Sequence, residues 1–186
     1  MATPLGHSMM GVAIYLVTVR SSEWSRRWGW LLLVVLFSAF ADIDYFPALF
    51  GRLGLANSLH RGITHTVLFA AGTTTLYLVV AGALRRKLMW KPALILLVAY
   101  LIHLILDIFA EDGKAPYGIA PFYPFSRTYY YGFWPVFPKI HKATWTEVFS
   151  FNNVRVALFE IVVFGILIAI VLALRLLIDR RQKHHA

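Results

Sequence analysis

Between Thr66 and Leu84 the chain carries no charged side chain. A helix needs about 20 mainly apolar residues to cross the hydrocarbon of a bilayer. This stretch therefore reads as a membrane span, and the rest of the chain must be arranged around it. Other runs repeat the plan, and the predicted spans cover about residues 5–19, 28–46, 66–84, 90–110 and 154–178. The first is marginal in length. The fold class this predicts is all-α: a single-domain polytopic transmembrane helical bundle of about five spans. Composition agrees, since 59% of the 186 residues are hydrophobic and 15% are charged, against about 45–50% apolar in soluble domains. The segment 111–153 is rich in Pro, Gly and aromatics, as in Tyr129-Tyr130-Tyr131-Gly132-Phe133-Trp134-Pro135. It is too apolar for a disordered linker and reads as a folded interfacial loop or cap. Gly51 to Ser58 reads as a small-residue loop. Met1 to Met10 contains no basic residue and no small-residue cleavage site follows, so no secretory signal is expected.

The net charge is +9, and its distribution carries the argument. Arg20, Arg26, Arg27, Arg85, Arg86, Lys87, Lys91, Arg175, Arg180, Arg181 and Lys183 fall on one side if the spans alternate. Short loops rich in Lys and Arg stay cytoplasmic, which puts the N-terminus outside and the C-terminus inside. No basic stripe with interleaved aromatics lies outside the membrane flanks, so nucleic acid is not an expected partner. Trp24, Trp28 and Trp30 fit an interfacial aromatic belt beside the arginines.

The same alternation puts His7, Asp42, Asp44, His60, His65, His103 and Asp107 on the opposite, extracytoplasmic side. The chain has no cysteine, so any metal must be held by nitrogen and oxygen. His103 and Asp107 are four apart and share a helix face. Ionisable groups inside a span cost about 2.5–3.5 kcal/mol on insertion scales, so their presence asks for a function. Asp42 and Asp44 diverge by about 200° on an ideal helix. Both reach one cluster if the helix unwinds at Asp42, near Pro47; otherwise one binds metal and the other orients a histidine. His60 and His65 suit a loop position and a first-turn position, with Gly62 permitting the bend. Arg61 beside them has the fork that recognises phosphate or carboxylate; its other reading is an interfacial anchor. His7 is weakest as a ligand on spacing alone. Glu160 in the last span, near Arg155, is open between a buried partner and the site. Asp112, Arg127, Lys139, His141 and Lys142 read as a solvated loop surface. The terminal His184-His185 is left out of the site.

Four histidines with three carboxylates suit zinc, and bridging carboxylates suit a cluster of two or three ions; manganese, iron and nickel remain open. The ordered blocks Gly6-His7, Asp42-Ile43-Asp44, His60-Arg61-Gly62-Ile63-Thr64-His65-Thr66 and Tyr100-Leu101-Ile102-His103-Leu104-Ile105-Leu106-Asp107 resemble the YdjM-like family. Its members are described as membrane-bound predicted metal-dependent hydrolases, also as LexA-binding, inner-membrane-associated hydrolases. The likeness runs from His7 to about Phe125. It implies a metal-dependent hydrolase of the cytoplasmic (inner) membrane, names no substrate, and implies that Asp42, Asp44, His60, His65, His103 and Asp107 match the family's ligands. More loosely, the His-x-x-x-Asp pair is similar to zinc-dependent phospholipase C. That pattern has a second helical His-x-x-x-Glu, which this chain lacks, so two ions fit better than three.

The expected function is hydrolysis of a phosphoester in a membrane lipid or lipid-linked substrate by metal-activated water. Asp44 or Asp42 would serve as general base or bridging ligand, and Arg61 would hold the phosphate. The rival readings are a metal-stabilised scaffold that binds a protein partner, and a metal transporter.

Overall fold

The computed structural model describes residues 3–113 and 115–184; His185, set aside above, lies outside them. The chain folds as an all-α helical membrane bundle. Four helical stretches are long and apolar enough to cross a bilayer, Trp28–Phe50, Val67–Arg85, Trp90–Ile108 and Trp145–Gln182. Before them comes α1 (Pro4–Thr18), 15 residues long with Pro at its start. At 1.5 Å per residue it spans about 22 Å, short of the roughly 30 Å hydrocarbon core. It is held instead from the sides, packing on α2 (Trp28–Ala39), α5 (Trp90–Ile108) and α7 (Phe151–His184).

Small residues set the closeness of that packing. A Cβ on Gly11 would stand 2.8 Å from the Val35 Cα and 3.0 Å from the Ser38 Cβ, so the α1 and α2 backbones touch as small-residue membrane pairs do. α4 (Val67–Arg85) lies against α5. Outward faces keep their leucines and valines exposed, as at Leu76, Val79 and Leu94, which suits a lipid solvent.

α1 and α7 run side by side in the same direction. The Ser21 amide, in the turn after α1, donates to Asp179 Oδ2 near the end of α7 at 2.8 Å. At the other end the Thr3 amide donates to Glu160 Oε1 at 2.7 Å, and the Thr3 hydroxyl also reaches this carboxylate. Glu160, itself buried, thus pairs with the half-buried Thr3: it sits at the N-terminus of α1, where unsatisfied amides and the helix dipole favour an anion.

Two local expectations change. Residues 51–58 are not simply a loop, because α3 (Leu53–Leu59) forms there and buries Leu53 and Ala56. The bend in the His60–Thr66 block falls on Arg61, whose φ is 64°, and not on Gly62. Gly62 is needed for another reason, since a Cβ there would meet the Leu59 carbonyl oxygen at 2.8 Å. The segment after α5 is a folded cap. Its Gly132 amide donates to the Ile108 carbonyl at 2.7 Å and its Glu111 amide to the Phe137 carbonyl at 2.8 Å. The Phe137 ring stacks on Phe164 of α7 at 5.5 Å. A single turn, α6 (Trp145–Val148), ends it.

Candidate metal centre

The seven acidic and imidazole groups meet at one end of the bundle. α1 contributes His7 from its second turn, and α5 contributes His103 and Asp107 from its last two. The block before α4 contributes His60 and His65. Asp42 and Asp44 come from a 3-10 segment, Phe40–Phe50, that continues α2 past Ala39. That tightening answers the facing problem. With three residues per turn, positions two apart diverge by about 120° the short way round, rather than about 160° on an α-helix, so both carboxylates address the cluster.

His7, His65, His103 and Asp107 are fully buried, and Asp42 retains 9% exposure. His7, the weakest ligand on spacing, is central: its ring stacks on His103 with centroids 3.5 Å apart, and its Nε2 lies 3.4 Å from Asp107 Oδ1. His65 Nε2 lies 3.3 Å from Asp107 Oδ2 and 3.7 Å from Asp42 Oδ1. His103 Nε2 is 3.8 Å from each of Asp42 Oδ1 and Asp107 Oδ2. These separations are too long for good hydrogen bonds. Accordingly both ring nitrogens of His7 and both oxygens of Asp42 and Asp107 have no hydrogen-bond partner. Buried polar atoms in that condition are costly, and a cation held among these groups would satisfy the Asp42 and Asp107 oxygens and a His7 ring nitrogen.

Two triplets have ligand atoms mutually within 4.8 Å, namely His7, His103 and Asp107, and Asp42, His60 and His65. They are joined where His65 Nε2 faces His103 Nε2 at 3.4 Å. An all-nitrogen-and-oxygen set of this kind fits zinc.

Surrounding groups orient the rings. His103 Nδ1 is 2.9 Å from the Ser38 carbonyl oxygen, which leaves Nε2 for the cluster. The Ser38 hydroxyl donates to the His7 carbonyl at 2.7 Å. Asp44 is occupied on both oxygens. Oδ1 is 2.9 Å from His60 Nδ1, and Oδ2 accepts from the Thr64 hydroxyl at 2.9 Å and the Arg61 amide at 3.1 Å; His65 Nδ1 stands 3.3 Å from Oδ2. Tyr100 donates to the Thr64 carbonyl at 2.7 Å. Ser38, Thr64 and Tyr100 were not singled out from sequence, since their contribution is a directed carbonyl or hydroxyl rather than a charge. Thr66 caps α4, its hydroxyl accepting from the Phe69 amide at 3.1 Å.

Burial would lower the pKa of His65, but Asp107, Asp42 and Asp44 outweigh it and hold the pKa well above the usual value. For His60 burial prevails over the Asp44 hydrogen bond, and the pKa is lowered.

Beside His60 and Arg61 a cavity of about 910 Å³ opens, bounded also by Asp112, Lys139, His141 and Lys142. The reading of these loop residues as plain solvated surface is corrected for two of them. Asp112 pairs with Arg61 and accepts the Gly118 amide at 2.9 Å. Lys142 is half-buried, with its ammonium 4.8 Å from the Tyr45 ring centroid. Burial, followed by repulsion from Arg61, pushes its pKa down to about 8. Arg61 is more engaged than its reading as an anion grip implied, because Nη1 is committed to Asp112; a guanidinium has five donors, however, and Arg61 still lines the cavity.

The chain belongs to the YdjM inner membrane protein family, whose model matches residues 1–178. Neither the curated proteins nor the solved structures give a match, so the likeness to zinc-dependent phospholipase C rests on the His-x-x-x-Asp pattern alone.

Proposed function

We propose that this member of the YdjM inner membrane protein family is a metal-dependent hydrolase that cleaves a phosphoester of a lipid or lipid-linked substrate. The observation that carries the reading is the pair of buried His/Asp triplets, joined through His65 and His103, with unsatisfied oxygens on Asp42 and Asp107. In this reading His7, His103 and Asp107 hold one divalent ion and Asp42, His60 and His65 a second, most simply zinc. Bound ions of this kind would polarise phosphoryl oxygens and lower the pKa of a bound water to about 7. In this reading Asp44, hydrogen-bonded on both oxygens, orients His60 and His65, as carboxylates behind metal-binding histidines do. Arg61, fixed by Asp44 and Asp112, positions the anionic group in the cavity. The orientation with the centre on the extracytoplasmic side follows from the distribution of basic residues.

A transporter would need polar groups along the whole path. Among the described residues, the buried polar side chains other than Thr74 and the α4 cap Thr66 belong to the centre, its supports, or the Thr3–Glu160 contact beside it, which favours a one-ended site. The test is elemental analysis of purified protein in lipid nanodiscs, together with a screen of phospholipids and lipid pyrophosphates. His103→Ala and Asp107→Ala are expected to abolish turnover while insertion and fold persist. Turnover retained in both variants would overturn the mechanism, and a partner-binding phenotype alone would favour the scaffold.

A further inference from the structure

A second recess reaches the centre from another direction. It measures about 370 Å³ and is lined by Asp42 together with Phe46, Leu49, Leu53, Trp145 and Val148. Tyr45 stands between this groove and the polar cavity. It lines the groove, while its hydroxyl donates to Asn57, a residue of the cavity wall. Its ring meets His60 edge-on at 5.1 Å, and Lys142 sits over it.

We propose that the apolar groove seats a hydrocarbon chain of a membrane lipid whose anionic headgroup lies in the polar cavity, with Tyr45 as the divider that decides which bond faces the metal centre. Three features select that occupant. The groove is built from the end of a membrane-spanning stretch, Trp28–Phe50, and Phe46 and Leu49 are 55% and 78% exposed, so it is continuous with the bilayer hydrocarbon. The cavity beyond Tyr45 presents Arg61, Lys139 and Lys142 among Glu111, Asp112 and Glu147, a polar, mixed-charge wall whose cations can contact a headgroup phosphate while the apolar groove cannot. Between the two recesses lie His60 and Asp42, one in each lining, so a molecule bridging them lays its polar–apolar junction across the cluster. The two volumes fall within the usual range of about 300–1,000 Å³ for small-molecule sites.

This inference shares its substrate class with the hydrolase reading, but its test needs no turnover. The protein, in nanodiscs of phosphatidylethanolamine and phosphatidylglycerol, is irradiated with phosphatidylglycerol carrying a diazirine in one acyl chain, and labelled positions are mapped by mass spectrometry. Labelling is expected to concentrate on Phe46, Leu49 and Trp145 over the lipid-facing Leu76 of α4. Val148→Trp, which fills the groove from α6, and Ala48→Leu, which fills it from the 3-10 segment, are each expected to reduce that labelling about tenfold, the effect of excluding roughly two methylenes, with Leu76 unchanged as internal reference. Uniform labelling of all lipid-facing positions, labelling indifferent to both variants, or cross-linking of the groove to a second copy of the chain would each overturn the proposal.

Discussion

His65 Nε2 and His103 Nε2 face each other at 3.4 Å, one from the turn before α4 and the other from α5. Two imidazole nitrogens at that distance, with the carboxylates of Asp42 and Asp107 beside them, hold the two halves of the bundle end together only when a cation or proton lies in the cluster. Metal removal should therefore destabilise the fold. A ligand present at 1,000 times its Kd contributes about 4 kcal/mol, which in a chain of this size corresponds to a fall in Tm on the order of 10 °C. Chelation of the wild-type protein is expected to produce that fall, and readdition of zinc to reverse it. His103→Ala should start from the lower Tm and respond little to chelator. Equal responses in the two proteins would remove the metal from the account.

The side of the membrane on which the centre lies is open to direct measurement. The chain contains no cysteine, so an introduced one is unique. Ser58→Cys, beside the polar cavity, is expected to react with an impermeant maleimide on intact spheroplasts. Arg86→Cys, at the opposite end of α4, should react only after permeabilisation. The reverse pattern would place the centre in the cytoplasm and exclude any substrate confined to the outer leaflet.

Four span positions were legible as long apolar runs, whereas the one expected at 5–19 is the short α1; the grouping of site residues at one end was legible from the alternation of basic and site residues along the chain. Placing His103 with Asp107 needed only helical periodicity. The centrality of His7 was not legible, since a lone histidine early in a helix has no spacing partner; its place comes from α1 packing on α2 through Gly11. Unwinding at Asp42, near Pro47, was one of two expectations for this helix end; the 3-10 segment begins two residues before Asp42, at Phe40, and it is this change that turns Asp42 and Asp44 to one side. The strain at Arg61 was assigned to the neighbouring glycine by the usual preference for positive φ. The Asp44 contacts to its amide and the Asp112 contact to its side chain hold the arginine there instead. Lys142 was invisible because loop lysines are usually solvated, and only the fold of the cap carries this one to Tyr45.

That placement of Lys142 has a pH consequence. Its folded pKa of about 8 lies below the ordinary 10.5, so the ammonium is charged below about pH 8 and becomes neutral above it. Attraction for an anion in the cavity is thus full on the acid side and lost as pH rises through 8. In the same window the unfolded chain holds its proton longer than the folded one, so the contribution of this group to stability rises with pH between 8 and 10.5. Sulfate, which does not titrate there, is expected to bind about threefold more weakly above the transition, the scale of one partly screened ion pair. In Lys142→Arg the guanidinium stays charged and the step should vanish. A step of the same size in that variant would assign it to another group.

The contact at Gly11 predicts a loss of metal without any change to a ligand. An added methyl would stand 2.8 Å from the Val35 Cα and 3.0 Å from the Ser38 Cβ, and backbone cannot yield as a flexible side chain does. Gly11→Ala therefore moves α1 away from α2. One turn earlier, the His7 carbonyl is tied to the Ser38 hydroxyl, and the Ser38 carbonyl faces His103 Nδ1, so the displacement passes to two ligands at once. Overpacking of this kind costs about 1–3 kcal/mol, and zinc affinity is expected to fall by at least about tenfold, the equivalent of 1.4 kcal/mol. Gly72→Ala in α4, where a Cβ meets nothing within 4 Å, is the control, and should hold zinc as wild type does. If Gly11→Ala also retains zinc with wild-type affinity, α1 does not position His7, and the ion held by His7, His103 and Asp107 loses its structural basis.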